Sequence, residues 1–166
     1  MGDDDKKPES VWDYPRPPAL DPVREDIVVT FGGRVIARAD RALRVLETSH
    51  PPTYYLPRDC FVDGALVPAG GSSYCEWKGR AAYFDIVGVG EGGTDGQVAE
   101  RAAWHYPEPT ARFADLVDHV ALYPGLMDEV TVDGEVVVAQ PGDFYGGWIT
   151  SAVVGPFKGA PGTLGW

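Results

Sequence analysis

Two β-rich runs flank a pair of glycines in residues 26–37, which read DIVVTFGGRVIA. β-Branched and aromatic side chains fill both runs, and Gly32 and Gly33 readily adopt the positive φ of a tight turn. The stretch therefore predicts an antiparallel hairpin with which the folded body of the chain begins.

Glycine and proline punctuate the rest of the chain in the same way. The sequence has 21 glycines and 15 prolines among 166 residues, and the segments between them are too short for a helical bundle. The pattern predicts a mainly β protein, with residues 88–96 as a loop. Further strands are predicted at 54–56, 73–75, 81–87, 97–104, 120–123, 129–132 and 135–138, the last two joined by a turn at Asp133-Gly134.

Two segments have the three- and four-residue spacing of apolar side chains that is typical of helices. Residues 40–46 begin with Asp40, a residue type that caps helices, and favour one or two helical turns. Residues 110 to about 119 form the one main helix predicted, because Pro109 precedes Phe113, Leu116 and Val117 at helical spacing. His119 would then be a cation at the end of that helix.

Composition divides the chain into four parts. Residues 1–10 are polar and charged and are predicted to be disordered, and residues 11–26 read as an extended arm that packs on the body. Residues 27–138 form the predicted core domain. Residues 139–166 are predicted to lie over this core as an ordered tail, because a solvated linker would not carry large aromatic side chains. The tail carries Phe144, Tyr145, Trp148, Phe157 and Trp166.

The overall charge and the cysteines limit the function classes. With 25 acidic and 14 basic residues the formal net charge is −11, which opposes binding to phosphate backbones, so no nucleic acid is expected as a partner. No run approaches the ~18 apolar residues of a membrane span, so no membrane partner is expected either. Cys60 and Cys75 form no CxxC pair and residues 1–7 lack an apolar run, which predicts a reduced, cytoplasmic protein. The oligomeric state stays open, a homodimer included.

Aromatic residues, proline and glycine crowd into short blocks that each hold one or two ionisable residues. A rigid pocket with aromatic walls and a few convergent polar groups needs this composition, whereas a strand or helix alone does not. The sequence therefore predicts a small-molecule site built from blocks at 47–55, 75–79, 104–109, 144–148 and 157–159. Candidate ligand-binding residues from these blocks include Tyr54, Tyr55, Tyr145 and Trp148.

Glu47 and His50 are the candidate catalytic residues. They stand three positions apart just before the rigid Pro51-Pro52 pair, so both side chains can enter one cleft, with the carboxylate orienting the imidazole for acid–base chemistry. The alternative is a histidine that caps a carbonyl group beside a solvated glutamate.

Cys75, Trp77 and Lys78 lie in one predicted turn and are candidate ligand-binding residues. A nearby ammonium lowers the pKa of a thiol, although a free cysteine is more often a small buried apolar residue. Lys78 and Lys158 each follow an aromatic residue and precede a glycine, which would hold the lysine stem and aim its ammonium. Two such turns in an acidic protein suggest a ligand with an anionic or carbonyl group.

Trp104, Tyr106 and Glu108 alternate along the sequence. An extended segment would therefore place these three side chains on one face and His105 on the other. Two aromatic rings above a carboxylate form a platform for a flat or cationic ligand. The alternative is a pair of ordinary core aromatics and a glutamate favoured by the dipole of the helix that follows.

Several motifs resemble the domain-of-unknown-function family 427. The resemblance is good over about 27–138, and the arm (WDYP, 12–15) and tail (GDFYGGW, 142–148, and GPFKG, 155–159) resemble a longer subgroup of the family. The motifs that carry it are FGG (31–33), LETSHPPTYYLP (46–57), CEWKG (75–79), AERAAWHYPEP (99–109) and VDGE (132–135).

The resemblance implies a β-tent-like fold, with two small antiparallel sheets meeting at an angle. Relatives in that group bind zinc through two Cys-x-x-Cys knuckles, reduce methionine sulfoxide or bind ligands in aromatic cages. This chain has neither knuckle, so no metal and no cofactor is predicted. Some naming within the family suggests nucleotidyl transfer, but a glycine-rich phosphate loop followed by Lys-Ser/Thr is missing.

Two functions follow from these observations. The first is binding of a small organic metabolite, with acid–base chemistry by His50 and Glu47. The second is a non-catalytic recognition module whose aromatic groove captures a peptide or a modified group. A closed cavity would favour the enzyme, and an open groove would favour the module.

Overall fold

The computed structural model describes residues 8–88, 97–142, 145–159 and 162–163, and it is mainly β. Within these residues, four short 3-10 helices connect the strands, at Val11–Asp13, Arg58–Cys60, Ala111–Leu116 and Pro124–Leu126. The strands are β1 (Glu9–Ser10), β2 (Ala19–Val23), β3 (Ile27–Phe31), β4 (Arg34–Ala39), β5 (Ala42–Leu46), β6 (Thr53–Pro57), β7 (Leu66–Cys75), β8 (Gly79–Val87), β9 (Val98–His105), β10 (His119–Leu122), β11 (Glu129–Val132), β12 (Glu135–Val136), β13 (Val138–Ala139), β14 (Trp148–Ile149) and β15 (Val153–Val154).

The predicted hairpin at residues 26–37 is confirmed as β3 and β4. Its turn uses positive φ at both Gly32 (64°) and Gly33 (77°). The turn at Asp133 and Gly134 likewise has φ of 49° and 85° and joins β11 to β12. These two hairpins pair through β3 and β11 into a four-stranded sheet of order β12-β11-β3-β4.

A larger antiparallel sheet has seven strands in the order β2-β5-β6-β10-β9-β8-β7. Two further sheets have two strands each, β1 with β15 and β13 with β14. The expectation of two small sheets is therefore wrong in number and size. The sheet is larger than expected because strands that are far apart in sequence pair at its centre, such as β10 with β6, where Val120 lies opposite Leu56. Local sequence patterns do not reveal such pairing.

The prediction that residues 40–46 are helical is wrong. Ala42–Leu46 is strand β5, which pairs with β2 on one side and with β6 on the other. Two rows of interstrand hydrogen bonds outweigh a helical preference of a few tenths of a kcal/mol per residue.

The predicted helix at 110–119 is shorter and tighter than expected. It is a 3-10 helix over Ala111–Leu116, interrupted at Phe113, where φ is −115° and ψ is 24°. Phe113 and Leu116 are buried, as their spacing indicated. His119 begins strand β10 instead of ending the helix, so its predicted role as a helix-terminal cation is wrong.

The two faces of the seven-stranded sheet carry different clusters of buried side chains. On β6, Tyr54 and Leu56 join the main core with Ile27 and Val29 of the four-stranded sheet, whereas Tyr55 belongs to the second cluster. Successive side chains on a strand point to opposite faces, and this period of two separates the neighbouring tyrosines. The second cluster also contains Val45, Ala81, Trp104, Tyr106, Phe113, Leu116 and Ala121.

The arm and the tail meet on the body. Glu9 and Ser10 form a strand that pairs in parallel with Val153 and Val154. The expectation of disorder is therefore wrong for Glu9 and Ser10. In the tail, the Trp148 side chain is buried, with its ring stacked on that of Tyr54 at a centroid distance of 4.6 Å and an interplanar angle of 13°. The predictions for residues 1–7, for the loop residues 89–96 and for Phe144 and Trp166 lie outside the described residues.

Candidate functional site

A cleft of about 800 Å³ lies over the second face of the seven-stranded sheet. Strand residues form its floor, the β7–β8 turn and the 47–51 loop form two sides, and tail residues form a third. Of the residues predicted for the site, the structure brings these into the cleft: Glu47, His50, Tyr55, Cys75, Trp77, Lys78, Trp104, Tyr106, Tyr145 and Lys158.

Aromatic rings form most of the floor. The Trp104 ring lies 4.7 Å from that of Tyr123 and 6.5 Å from that of Tyr55, to which it is nearly perpendicular at 87°. Trp104 Nε1 donates a hydrogen bond of 3.3 Å to the Tyr55 hydroxyl. Burial raises the pKa of Tyr55 and of Tyr106, so both phenols remain protonated at neutral pH.

The loop that carries His50 is hydrogen-bonded to both the arm and the tail. Ser49 has a φ of 71°, and its backbone N–H donates to the carbonyl of Val11 in the arm. The Ser49 carbonyl in turn accepts a 2.9 Å hydrogen bond from the backbone N–H of Lys158 in the tail. The His50 N–H closes the turn on the Glu47 carbonyl at 3.0 Å. Arm and tail therefore fix where His50 enters the cleft.

His50 is neutral at pH 7 and is surrounded by more cations than anions. Burial is the largest cause of its lowered pKa; Glu47 opposes the shift, and Lys158, Arg16 and Lys78 add to it. The Nε2 atom of His50 lies 4.0 Å from Glu47 Oε2, and Arg16 Nε lies 3.9 Å from the same oxygen. A positive field of this kind favours a ligand that carries negative charge.

The turn that carries Lys78 is anchored from outside the hairpin. Thr110 donates from its backbone N–H to the Lys78 carbonyl at 3.0 Å and from its hydroxyl to the Trp77 carbonyl at 2.6 Å. Gly79 has a φ of 110°, and a Cβ there would stand 3.1 Å from the Glu108 carbonyl oxygen. The anchored turn places Lys78 Nζ 5.7 Å from the centre of the Tyr106 ring, which is cation–π geometry.

Lys158 and Cys75 are two further predicted residues that line the cleft. Lys158 is held by its main chain, and its Nζ lies 5.8 Å from the centre of the Tyr145 ring. Cys75 is half-buried at the end of β7 and is free, as is Cys60. Burial raises the pKa of the Cys60 thiol to about 12, so Cys60 is an inert thiol far from the ionised form.

Three predicted site residues do not line the cleft. Tyr54 and Trp148 belong to the main core on the opposite face of the sheet, where the Tyr54 hydroxyl donates to Glu25 at 2.9 Å. The Glu108 side chain is exposed, because β9 ends at His105 and the alternation of extended backbone ends with it. Trp104 and Tyr106 still share one side, and His105 packs on Phe84 on the other.

Sequence reasoning missed several cleft residues. Tyr83 is the direct cross-strand partner of Trp104 and Tyr123 follows β10, so a correct sheet register would have found both. Gly146 lies in the predicted block 144–148, but nothing in the sequence distinguishes it from the neighbouring glycine. Gln140 lies outside every predicted block, and a lone glutamine looks like an ordinary loop residue. The other additions are Val45, Pro51, Thr53, Ser73, Tyr74, Glu76 and Ala81.

A family model described as a domain of unknown function, DUF427, matches residues 19–133. The chain belongs to this DUF427 family. The DUF427 segment supplies the floor of the cleft together with His50 and Lys78, whereas Gln140, Tyr145, Gly146 and Lys158 follow it. No curated protein matches the chain.

The described residues of this DUF427 protein hold neither a cluster of metal ligands nor a helix that could span a membrane. No group of three or more His, Cys, Asp or Glu side chains in residues 8–88, 97–142, 145–159 and 162–163 is placed to hold a metal ion. Within the same part of the chain, no helix has the length and apolar character that crossing a membrane requires.

Proposed function

We propose that the cleft binds a small unsaturated organic anion, such as an aromatic carboxylate. The observation that carries this proposal is Lys78, whose ammonium lies over the Tyr106 ring inside the cleft. Among the described residues, no carboxylate lies within ion-pair distance of this ammonium. A cation held at an aromatic wall, partly removed from water, attracts an anion more strongly than an exposed lysine does.

The rest of the cleft supports the same ligand class. Its volume of about 800 Å³ lies within the roughly 300–1,000 Å³ of small-molecule sites. The rings of Trp104, Tyr106 and Tyr123 offer flat surfaces to an unsaturated skeleton, while the protonated Tyr55 and Tyr106 phenols supply polar groups that orient it. Glu47, one of the two carboxylates in the lining, already lies near Arg16.

A second candidate is the recognition module that binds a peptide. Tyr74, on the rim of the cleft, is 76% exposed and lies in β7, the edge strand of the seven-stranded sheet. An extended peptide can add to such an edge and place a side chain in a neighbouring pocket. This function predicts that the affinity resides in peptide main-chain contacts, with little dependence on the charge of a small ligand.

Charge selectivity distinguishes the two functions. We expect an aromatic carboxylate to bind about tenfold or more tightly than its primary amide, because a partly desolvated ion pair contributes about 1–4 kcal/mol. Lys78→Met should remove this preference, whereas Lys78→Arg should keep part of it. Arg80→Met is the matched control, since Arg80 is exposed on the same hairpin and outside the cleft lining. Titration calorimetry at pH 7 measures all of these affinities.

Two results would overturn the proposal. One is equal affinity for the acid and the amide in the wild-type chain. The other is a Lys78→Met variant that keeps the full preference for the acid. Tight binding of extended peptides together with either result would instead favour the recognition module.

A glycine pair tests whether binding takes place in this cleft. A Cβ at Gly146 would overlap Trp104 Cη2, so Gly146→Ala must displace the Trp104 ring or the tail. We expect at least a tenfold loss of affinity for the aromatic acid. Gly70→Ala is the matched control, because nothing lies within 4 Å of its added Cβ. Unchanged affinity in Gly146→Ala, with its fold verified by circular dichroism, would place the binding site elsewhere.

A further inference from the structure

Gln140 connects three parts of the candidate site. The residue is only 4% exposed, and its side-chain amide contacts the backbone N–H of Gly147, the backbone carbonyl of Lys158 and the His50 ring. It follows the segment that the family model matches, which ends at residue 133. Its contacts therefore tie the tail to a histidine that the family segment supplies.

Two backbone groups decide which way the Gln140 amide points. The Gly147 N–H can only donate, so the atom 3.1 Å from it must be the amide oxygen Oε1. The Lys158 carbonyl can only accept, so the atom 2.7 Å from it must be the amide nitrogen Nε2. One amide hydrogen of Nε2 then remains, and it points to His50 Nδ1 at 3.2 Å.

We infer that Gln140 is a positioning residue that holds neutral His50 in the tautomer with its proton on Nε2. Because Gln140 Nε2 has no lone pair to offer, His50 Nδ1 must accept the hydrogen bond and cannot itself carry the proton. Burial and the nearby cations keep the pKa of His50 low, so the ring is neutral at pH 7. The ring proton then lies on the nitrogen that faces Glu47.

This tautomer gives His50 a defined role in the cleft. Glu47 Oε2 lies 4.0 Å from His50 Nε2, which is longer than a hydrogen bond. Among the described residues no acceptor binds this N–H. Given the proposed function, the N–H is available to an acceptor oxygen of the bound anion. His50 therefore acts as a hydrogen-bond donor to the ligand.

The same arrangement changes the acid–base role predicted for His50 and Glu47. A general base needs a ring nitrogen with a free lone pair. Nε2 carries the proton, and the lone pair of Nδ1 is used by Gln140. His50 is thus arranged to stabilise negative charge by donation, and the structure offers it no free site for taking up a proton.

Nitrogen NMR of the full-length chain tests the tautomer directly and needs no ligand. With ¹⁵N-labelled histidine, two-bond proton–nitrogen correlations at pH 7 should show a protonated Nε2 and an unprotonated Nδ1 for His50. Gln140→Met removes the donor and should leave a mixture of both tautomers. Gln140→Glu places an acceptor beside Nδ1, so it should move the proton there and raise the pKa of His50.

Gln97→Glu is the matched control, because it makes the same chemical change at an exposed residue outside the cleft lining. It should leave the His50 spectrum unchanged. Protonated Nδ1 in the wild-type chain would overturn the inference, even if the Gln140 variants fail to fold. A folded Gln140→Met variant with an unchanged tautomer would overturn it too. Absence of anion binding would contradict the proposed function alone, since the spectrum is read in the free protein.

Discussion

Trp148→Ala is expected to lower the free energy of unfolding by about 3–5 kcal/mol, the usual cost of truncating a large buried aromatic side chain. Trp148 is 1% exposed, stacks on Tyr54 and donates from its indole nitrogen to the Leu122 carbonyl at 3.4 Å. The substitution leaves a cavity beneath the large sheet and a carbonyl without its donor. Urea unfolding followed by far-ultraviolet circular dichroism measures the loss without relying on tryptophan fluorescence.

Trp12→Ala is the control for that experiment. Trp12 is 41% exposed and donates from its indole nitrogen to the Pro156 carbonyl at 2.8 Å. Its removal should cost clearly less than that of Trp148, because a partly exposed side chain loses less buried apolar area. Similar losses in the two variants would show that Trp148 does not belong to the core, and a loss below about 1 kcal/mol for Trp148→Ala would do the same.

The local parts of the fold could be predicted from the sequence. The β3–β4 and β11–β12 hairpins follow from turn residues with positive φ between β-rich runs, and both are in the structure. Residues 40–46 could not be predicted, because their apolar spacing fits a helix as well as a strand. Pairing with β2 and β6 decides between the two, and it involves residues far away in sequence.

The same limit applies to the cleft. The predicted aromatic blocks contribute residues to the cleft, but a block does not say which of its side chains line it. Tyr54 and Tyr55 are neighbours in one block, yet the period of the strand sends one to the core and the other to the cleft. Gln140 shows a further limit, because its importance depends on three partners that only the folded tail brings together.

Side chains and backbone groups of the tail contact the main core, the arm and the loop that carries His50. Trp148 fills the main core, Val153 packs with Val11 of the arm, and Gln140 and Lys158 hold the loop that carries His50. The segment that the family model matches, residues 19–133, lacks all of these groups. We infer that the matched segment and the tail fold as one unit.

Deleting residues 141–166 is expected to abolish cooperative folding. Loss of Trp148 alone costs about 3–5 kcal/mol, and burial of Val153 and the pairing of β13 with β14 and of β1 with β15 are lost with it. The total approaches or exceeds the ~5–15 kcal/mol that stabilises a typical domain. The truncated chain should be less stable than the single variant Trp148→Ala. It should give no sigmoidal urea transition. A soluble truncation with a cooperative transition and undiminished affinity for the aromatic acid would show that the tail is an appendage and that the cleft is complete without it.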